Sequence, residues 1–419
     1  MLTVNIGLLG LGNVGLGVAR YLDEHGSCIG LNLKSYATRT SRNSNIRASY
    51  ARDAYEVIRD PQVHIVVELI GGESPALDYV METIKQRKPV VTANKLIIAK
   101  HGREIFDAAR HNNVDVGFEA SVGGGIPIVH TLMSDLTANT IDEITGIVNG
   151  TTNYMLTRME RNMSYDDALK EAQREGFAEA DSTSDTSGED SKYKLSILSS
   201  LAWNAWIEPS SIRYEGITQI TPQDMNYAAE FGYKIKLLAT AKMHNGRVEV
   251  RVNPALIDNK HPLAAVNDEY NAIHIKGDLC GPQMYYGKGA GRGPTTSAVV
   301  ANIRRIAKNI ETGMPNDLPL LDRPVTLVED PVSAGYIRVD LRHVVGALHA
   351  VSGILARNNI SVKDSIQREK FGYRIDGDTV IPDIITTEPV RDSFVRKALE
   401  ELAESPMVHG RPYYLRIEA

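Results

Sequence analysis

The amino-acid sequence predicts an α/β protein: a doubly wound parallel sheet at the N-terminal end, an α+β unit in the middle and a small βαββαβ unit at the C-terminal end. Three observations carry that reading. Strand-like apolar runs alternate with helical runs up to the glycine run GGGIP at 123–127, the pattern of a parallel sheet covered on both faces. The glycine-rich loop GLGNVG, 10–15, falls between the first strand and the first helix. After PNDLPLLDRP (315–324) the alternation resumes on a smaller scale, from GYIRVDL to the closing YYLRIE.

Taken in order, LTVNIGLLG (2–10) is a strand, and the following glycines open a helix towards Tyr21. LNLKSYAT (31–38), HIVVELIG (64–71), KPVVTAN (88–94) and VDVGFEASV (114–122) read as further strands, with helices over 75–87 and 97–112. From about residue 130 the helices lengthen, with interspersed strands such as IDEITGIVN. YYGKGAGRGPTTSA (285–298) leads into another helix through Asn309, and PNDLPLLDRP reads as a linker. These breaks divide the chain into residues 1–130, completed by about 287–315, then 131–286, then 325–419. In the last unit GYIRVDL is a strand, ALHAVSGILARNNI a helix, a strand follows SVKDSIQ, and YYLRIE closes the order.

At 419 residues the chain exceeds one ordinary core, and 42% apolar residues suffice to fill two or three. A net charge of −6 without a basic cluster argues against a nucleic-acid surface. The two cysteines, Cys28 and Cys280, lie far apart, so neither a disulfide framework nor a zinc site is expected. The N-terminal end lacks a basic leader, and no apolar run reaches the ~18 residues of a membrane span. The expectation is a soluble, cytoplasmic protein without nucleic-acid or membrane partners.

In the loop Gly10, Leu11, Gly12, Asn13, Val14, Gly15 the glycine spacing has a chemical reason. Gly10 serves the tight turn, Gly12 lets backbone approach a pyrophosphate, and Gly15 lets helix and strand pack, while the helix N-terminus offers free N–H groups. With a leading strand, a following helix and repeated β/α alternation, the loop predicts a Rossmann-type dinucleotide-binding unit. An acidic residue about 20 positions on would hold a ribose 2′-hydroxyl. Here stand Thr38, Arg39, Thr40, Ser41 and Arg42. Arg39 could face a 2′-phosphate, which favours NADP over NAD; the alternative is that Arg39 and Arg42 are solvated loop charges.

Seven segments together carry a resemblance: GLGNVG, VVELIGG (66–72), VVTANK (90–95), EASVGGGIP (119–127), GIVNGTTNYML (146–156), GFAEADSTSD with GEDSKYKL (176–195), and YYGKGAGRGPTTSAVV (285–300). In order and spacing they resemble homoserine dehydrogenase. The C-terminal unit resembles the small ligand-binding ACT module found at the end of many members. The resemblance implies a monofunctional enzyme that reversibly reduces L-aspartate 4-semialdehyde to L-homoserine with NAD(P)H, on the route to threonine, methionine and isoleucine.

Helix geometry tests the site residues independently. A helix starting near Gly188 puts Asp190, Lys194, Ile197, Leu198, Leu201 and Ala205 on one face, and Lys192, Ser196, Ser199, Ser200 and Asn204 on the other. Lys192 is then expected to face water, while Asp190 and Lys194 form an inward i, i+4 pair. A buried lysine loses its charge more readily, which suits proton transfer near neutral pH; a structural ion pair is the alternative from the residues alone. The resemblance implies that Lys194 is the proton donor and Asp190 a carboxylate at the substrate.

The resemblance further implies that Lys95, otherwise readable as a solvated charge at a strand tip, lies between nicotinamide and substrate and serves both binding and catalysis. Glu179 matches the residue that holds the substrate ammonium. Asp185 matches a further acidic position of the site; the residues alone equally allow a helix cap. Glu119, with the carbonyls of Val122, Gly124 and Ile126, matches a monovalent cation site assigned to sodium, although the glycines could serve only a hinge. Gly289 and Gly291 match a second glycine loop that returns to the cofactor.

Two departures stand out. Val345-Gly346 occupies a turn where the family often has Pro-Gly and which commonly contacts an effector, so threonine feedback is an open expectation. Ser182 stands where a proline is usual. A homodimer or homotetramer is expected. Two rivals remain at this point: an NADP-dependent oxidoreductase acting on another small amino acid derivative, and an inactive ACT-containing sensor, which would have lost Lys95 or Lys194.

Overall fold

The computed structural model describes residues 3–39, 46–314, 318–375 and 377–418. Its N-terminal part is a parallel sheet whose six strands lie in the order Ser49–Ala51, Leu31–Ala37, Val4–Leu9, Ile65–Glu68, Val90–Thr92 and Val116–Gly117. The order reverses between Val4–Leu9 and Ile65–Glu68, and the crevice beyond the strand ends at such a reversal is where an open α/β sheet binds ligands. Five of the six strands fall in the apolar runs read from the sequence. Ser49–Ala51 and the helix Ala54–Arg59 were not anticipated: the strand is three residues long and mostly exposed at the sheet edge, so it carries no apolar run.

After the central region the chain returns to this sheet. Helix Arg292–Thr312 packs against helix Asn13–His25, and the approach is so close that a Cβ at Gly17 would lie 2.3 Å from Thr296 Oγ1. The second sheet runs Gly281–Lys288, Tyr270–Gly277, Ile141–Ile147, Tyr233–His244, Arg247–Asp258, Tyr413–Glu418, Val332–Arg342, Asp378–Thr387 and Val362–Gln367. It joins the central and C-terminal regions in one ladder, through the parallel pairing of Ala255, Leu256 and Ile257 with Arg416, Ile417 and Glu418.

The C-terminal part has the anticipated βαββαβ order, with helices Ala347–Arg357 and Asp392–Glu404. Its second strand, however, is Val362–Gln367, within SVKDSIQ rather than beyond it. This is an edge strand with its first five residues at least partly open to solvent, which explains the polar run. The expected linker is tied down where it is described. Leu318 and Leu321 are buried, the Arg110 guanidinium donates to Pro319 O (2.6 Å), and Leu321 N donates to Asn204 Oδ1 (3.0 Å); residues 315–317 lie outside the described residues. No helix among the described residues is long and apolar enough to cross a membrane.

Candidate active site

The first glycine loop lies at the crevice, and its glycines divide the work as their spacing suggests. Gly10 has φ +93°, and a Cβ there would lie 2.6 Å from Leu69 O; one at Gly15 would lie 2.1 Å from Gly10 O. A Cβ at Gly12 would meet nothing within 4 Å, so this stretch of backbone faces open space. Asn13 and Val14 begin the helix, whose N-cap Gly12 offers no side-chain acceptor, so its first N–H groups stay available to an anion. The loop opens on a cleft of about 740 Å³ lined also by Thr38, Arg39, Arg52, Asp53 and Tyr79. The Asp53 carboxyl caps Tyr55 N (3.2 Å), whereas Arg39 is exposed at the end of its strand. Arg42 lies outside the described residues. Arg52, a second cation in the cleft, escaped the sequence reading because the strand before it did.

The second glycine loop packs on the GGGIP segment and, through Arg292, reaches Asn13 of the first loop. Gly125 N donates to Lys288 O (3.1 Å), Arg292 Nε donates to Asn13 Oδ1 (2.8 Å), and a Cβ at Gly124 would lie 2.4 Å from Gly289 O. Gly291, at φ +112°, turns the chain into the helix that starts at Arg292.

Beside this loop pair a compact charge cluster forms. Helix Glu189–Trp203 starts after Gly188, whose φ of +86° L side chains rarely adopt. Asp190, in its first turn, is buried and receives Lys95 Nζ on Oδ1 (3.0 Å) and Lys194 Nζ on Oδ2 (2.6 Å). Lys194 also donates to Val148 O (2.7 Å). Burial by itself would raise the Asp190 carboxyl, but Lys194 and Lys95 outweigh it and hold it well below the usual carboxylate range. In return Asp190 raises Lys95 against its own burial, with smaller help from Asp185 and Glu179.

Asn149 ties the acids together. Its Nδ2 donates to Asp185 Oδ1 (2.7 Å) and Asp190 Oδ2 (2.9 Å), while its Oδ1 caps Thr152 N. Asp185 also accepts from Thr151 (3.3 Å), and is therefore part of the cluster and not a cap of the following helix, whose N-cap makes no side-chain bond. Burial and then the Asp190 charge push the Asp185 carboxyl up. Glu179 is exposed, near enough to act on Lys95. Lys95 itself is the first residue of helix Lys95–Asn112, capped by Asn94, whose Nδ2 donates to Gly72 O (2.6 Å). Behind it, fully buried Glu68 accepts from Thr92 Oγ1 (2.6 Å) and Ile70 N (2.7 Å), and Thr92 Oγ1 accepts from Asn94 N (3.0 Å). Asn149, Asn94 and Glu68 were missed as individual residues, although each lies in a quoted segment.

The two-faced picture of this helix is wrong. Lys192 does not look at water: it is buried, 3.4 Å from Glu189 Oε1, with Nζ 4.2 Å from the Tyr214 ring centre. Ser196, Ser199 and Ser200 are buried too, with partners that include Ile207 O, Leu195 O and Ile207 N. The helix is enclosed nearly all round, and hydroxyls that bond to backbone pass for a polar face in sequence.

Glu119 is buried, and its carboxyl accepts from Val129 N and His130 N (both 2.9 Å). Burial pushes it up, against the pull of those N–H groups and Arg305. Val122, Gly124 and Ile126 follow it in the same turn-rich segment; Ile126 O accepts from Ile128 N (2.9 Å).

Comparison with known proteins adds three findings. Residues 10–119 match the family model described as homoserine dehydrogenase, NAD binding domain, and residues 127–303 match that of homoserine dehydrogenase. Homoserine dehydrogenase of Helicobacter pylori is 38% identical over 99% of this chain and 99% of its own length. Among solved structures, a homoserine dehydrogenase from Thiobacillus denitrificans superposes with a TM-score of 0.91 at 37% identity, covering 99% of this chain and 98% of its own. A hyperthermophilic archaeal homoserine dehydrogenase in complex with NADPH gives 0.64 at 26% identity, over 75% of this chain and 99% of its own.

Proposed function

The chain belongs to the homoserine dehydrogenase family, an NAD(P)-dependent oxidoreductase interconverting L-aspartate 4-semialdehyde and L-homoserine, and on that footing we propose how its residues divide the work. The family membership displaces the two rivals, a dehydrogenase of another amino acid derivative and an inactive sensor.

A nicotinamide dinucleotide held at the Gly10–Gly15 loop would supply or accept the hydride at the substrate carbon. Lys194 gives the proton to the carbonyl oxygen in the reducing direction and takes it from the hydroxyl in the oxidising one, water returning a proton to the amine after reduction and removing one from the ammonium after oxidation. Asp190, kept ionised by two lysines, lets both ammonium groups stand together without repulsion. Lys95 reaches the same point from the dinucleotide side and orients the substrate oxygen. Glu179, exposed at the rim, takes the substrate ammonium, and Asp185 with Asn149 closes the acidic wall. The observation that carries this reading is the Lys95–Asp190–Lys194 triangle. Its test follows NADPH formation from L-homoserine in wild type and Lys194→Ala: the wild type turns over, the variant does not, and a variant that keeps wild-type turnover removes the proton role.

Gly10, Gly12, Asn13, Val14 and Gly15 hold the pyrophosphate, which the open space over Gly12 admits, and Gly291 closes on it. Arg39, joined in the cleft by Arg52, supports NADP over NAD. Glu119, with the carbonyls of Val122, Gly124 and Ile126, is an oxygen-only donor set; a buried carboxyl disfavoured as a charge suits a hard monovalent cation such as sodium. The C-terminal βαββαβ unit acts as an ACT module, the Val345-Gly346 turn being its candidate threonine contact. A cytoplasmic homodimer or homotetramer completes the proposal.

A further inference from the structure

The turn that follows strand Ile65–Glu68 forms one wall of the dinucleotide cleft, through Leu69, Ile70, Gly71, Ser74 and Pro75. Gly71 and Gly72 have φ of +79° and +73°, and a Cβ at either would meet nothing within 4 Å. Two adjacent glycines are the backbone with the most freedom to lose, so this wall keeps one shape only if it is tied down. Three anchors do so. Glu68 Oε1 accepts from Ile70 N (2.7 Å) and Gly71 N (3.3 Å), and Asn94 Nδ2 donates to Gly72 O (2.6 Å). The Glu73 carboxylate is the third, with Oε2 2.7 Å from Lys100 Nζ and Oε1 2.8 Å from His101 Nε2.

The last two anchors both belong to helix Lys95–Asn112, one to its cap and one to its second turn. Lys100 and His101 are consecutive, and consecutive helical side chains point about 100° apart. One carboxylate bonds both only from a narrow range of positions between them. The Lys100 bond first, then the His101 bond, hold the Glu73 carboxyl below its usual range, so it only accepts and His101 Nε2 carries the hydrogen between them. The Glu73, Lys100 and His101 side chains are 42%, 38% and 27% exposed, and ion pairs so open to water add little to stability. What the arrangement supplies is placement.

We propose that Glu73 is a positioning residue for hydride transfer: through Lys100 and His101 it fixes the 69–74 wall of the cleft to the helix whose first residue is Lys95. The inference rests on the role proposed for Lys95. Glu73 does not itself line the cleft; it acts through the turn it closes. Lys100 is raised by the Glu73 bond and, to a smaller degree, by the charges of Tyr193 and Glu189 on helix Glu189–Trp203, the element that carries Asp190 and Lys194. The latch therefore lies where the cleft wall and both lysine-bearing helices meet. With it broken, dinucleotide and lysines no longer keep one spacing, and a misplacement of about 1 Å costs about 10²-fold in rate.

Steady-state kinetics on the full chain test this, with NADP and either L-homoserine or L-homoserine deuterated at the reacting carbon. In Glu73→Ala, kcat is expected to fall about tenfold, with a primary isotope effect at least as large as the wild type's because the hydride step has slowed. KM for NADP rises, KM for L-homoserine stays within about twofold, and the thermal midpoint is unmoved. The double variant Lys100→Met, His101→Gln shows the same loss, and adding Glu73→Ala to it lowers kcat by less than about twofold more, because all three act through one carboxylate. Wild-type kcat in Glu73→Ala, losses that multiply in the combined variant, or a fall in kcat with a lowered thermal midpoint and a diminished isotope effect overturns the proposal. Lys95→Ala is measured alongside. If it keeps wild-type turnover, the role of Lys95 falls and the inference with it; if it is inactive while Glu73→Ala is unaffected, the latch alone falls.

Discussion

Replacing Asp190 by Asn keeps the shape of the side chain and removes its charge. The carboxylate takes three donors on two oxygens, Lys95 on Oδ1 and both Lys194 and Asn149 on Oδ2. An amide offers one accepting oxygen, so at least one of these donors must face its NH2 group. Removing one partner of a buried pair costs about 3–5 kcal/mol; because the Lys95 side chain is 41% exposed and screened by water, the lower end, about 3 kcal/mol, is expected here. The pH dependence follows from the shifts. Asp190 is depressed, so its contribution is present above its ordinary 3.8 and is lost only in strong acid. Lys95 is raised, so its contribution is full below 10.5 and lost as pH rises through its higher folded value. The stability gap between wild type and Asp190→Asn is therefore flat from about pH 5 to 9. In turnover, Lys95 without Asp190 is left with burial as its main influence, which lowers it, so the alkaline limb of kcat/KM moves to lower pH. The fall in kcat is expected at about 10²- to 10⁴-fold, the range of a general acid–base contribution. Urea unfolding at several pH values and a pH–rate profile check both parts. An Asp190→Asn enzyme with wild-type kcat and an unmoved alkaline limb would refute the reasoning.

Arg39→Ala raises KM for NADPH by about tenfold or more, the worth of a charge-assisted hydrogen bond, and leaves KM for NADH alone; steady-state kinetics with both cofactors decide. Lys236 is fully buried, and burial brings it down to about 8. Between about pH 8 and 10.5 the unfolded chain binds the extra proton, so wild-type stability gains up to about 3 kcal/mol over that window; Lys236→Met lacks this gain, as denaturant titrations at both ends would register. Glu68→Gln keeps only one accepting oxygen, so either the Thr92 hydroxyl or the Ile70 and Gly71 N–H groups lose their acceptor. A loss of about tenfold in kcat/KM is expected, with KM for the cofactor rising because the 69–72 turn loosens, and a split of kcat from KM measures it.

What the sequence made legible was local. The i, i+4 spacing of Asp190 and Lys194, the glycine roles at 10–15 and the apolar strands could be read because each depends on neighbours in the chain. Lys192 was misread because a 3.6-residue period distinguishes faces only when one face meets water, and here Ser196, Ser199 and Ser200 bond to backbone inside the protein. The pairing of Ala255–Ile257 with Arg416–Glu418 links segments some 160 residues apart by backbone hydrogen bonds, and no side-chain pattern announces it. Asn149 was hidden for a related reason: as a helix cap it has a sufficient local role, and its second role appears only when Asp185 and Asp190 are brought to it.

That double role points to what the fold contributes to the chemistry. A buried carboxyl keeps its charge only if enough positive potential surrounds it, and Lys194, on the same helix, supplies one cation. The second comes from helix Lys95–Asn112, whose cap Asn94 makes Lys95 the first residue of a rigid element. Helix Gly150–Met159 begins at Asn149, and helix Glu189–Trp203 begins just after Gly188. Three helices thus send side chains from their N-terminal ends, Lys95, Asn149 and Asp190, into one cluster, and such helix ends carry a partial positive charge. Convergence of that kind favours an ionised Asp190 before any substrate arrives, so the two lysines beside it can hold protons at a point where, without the acid, each would drive the other's proton away.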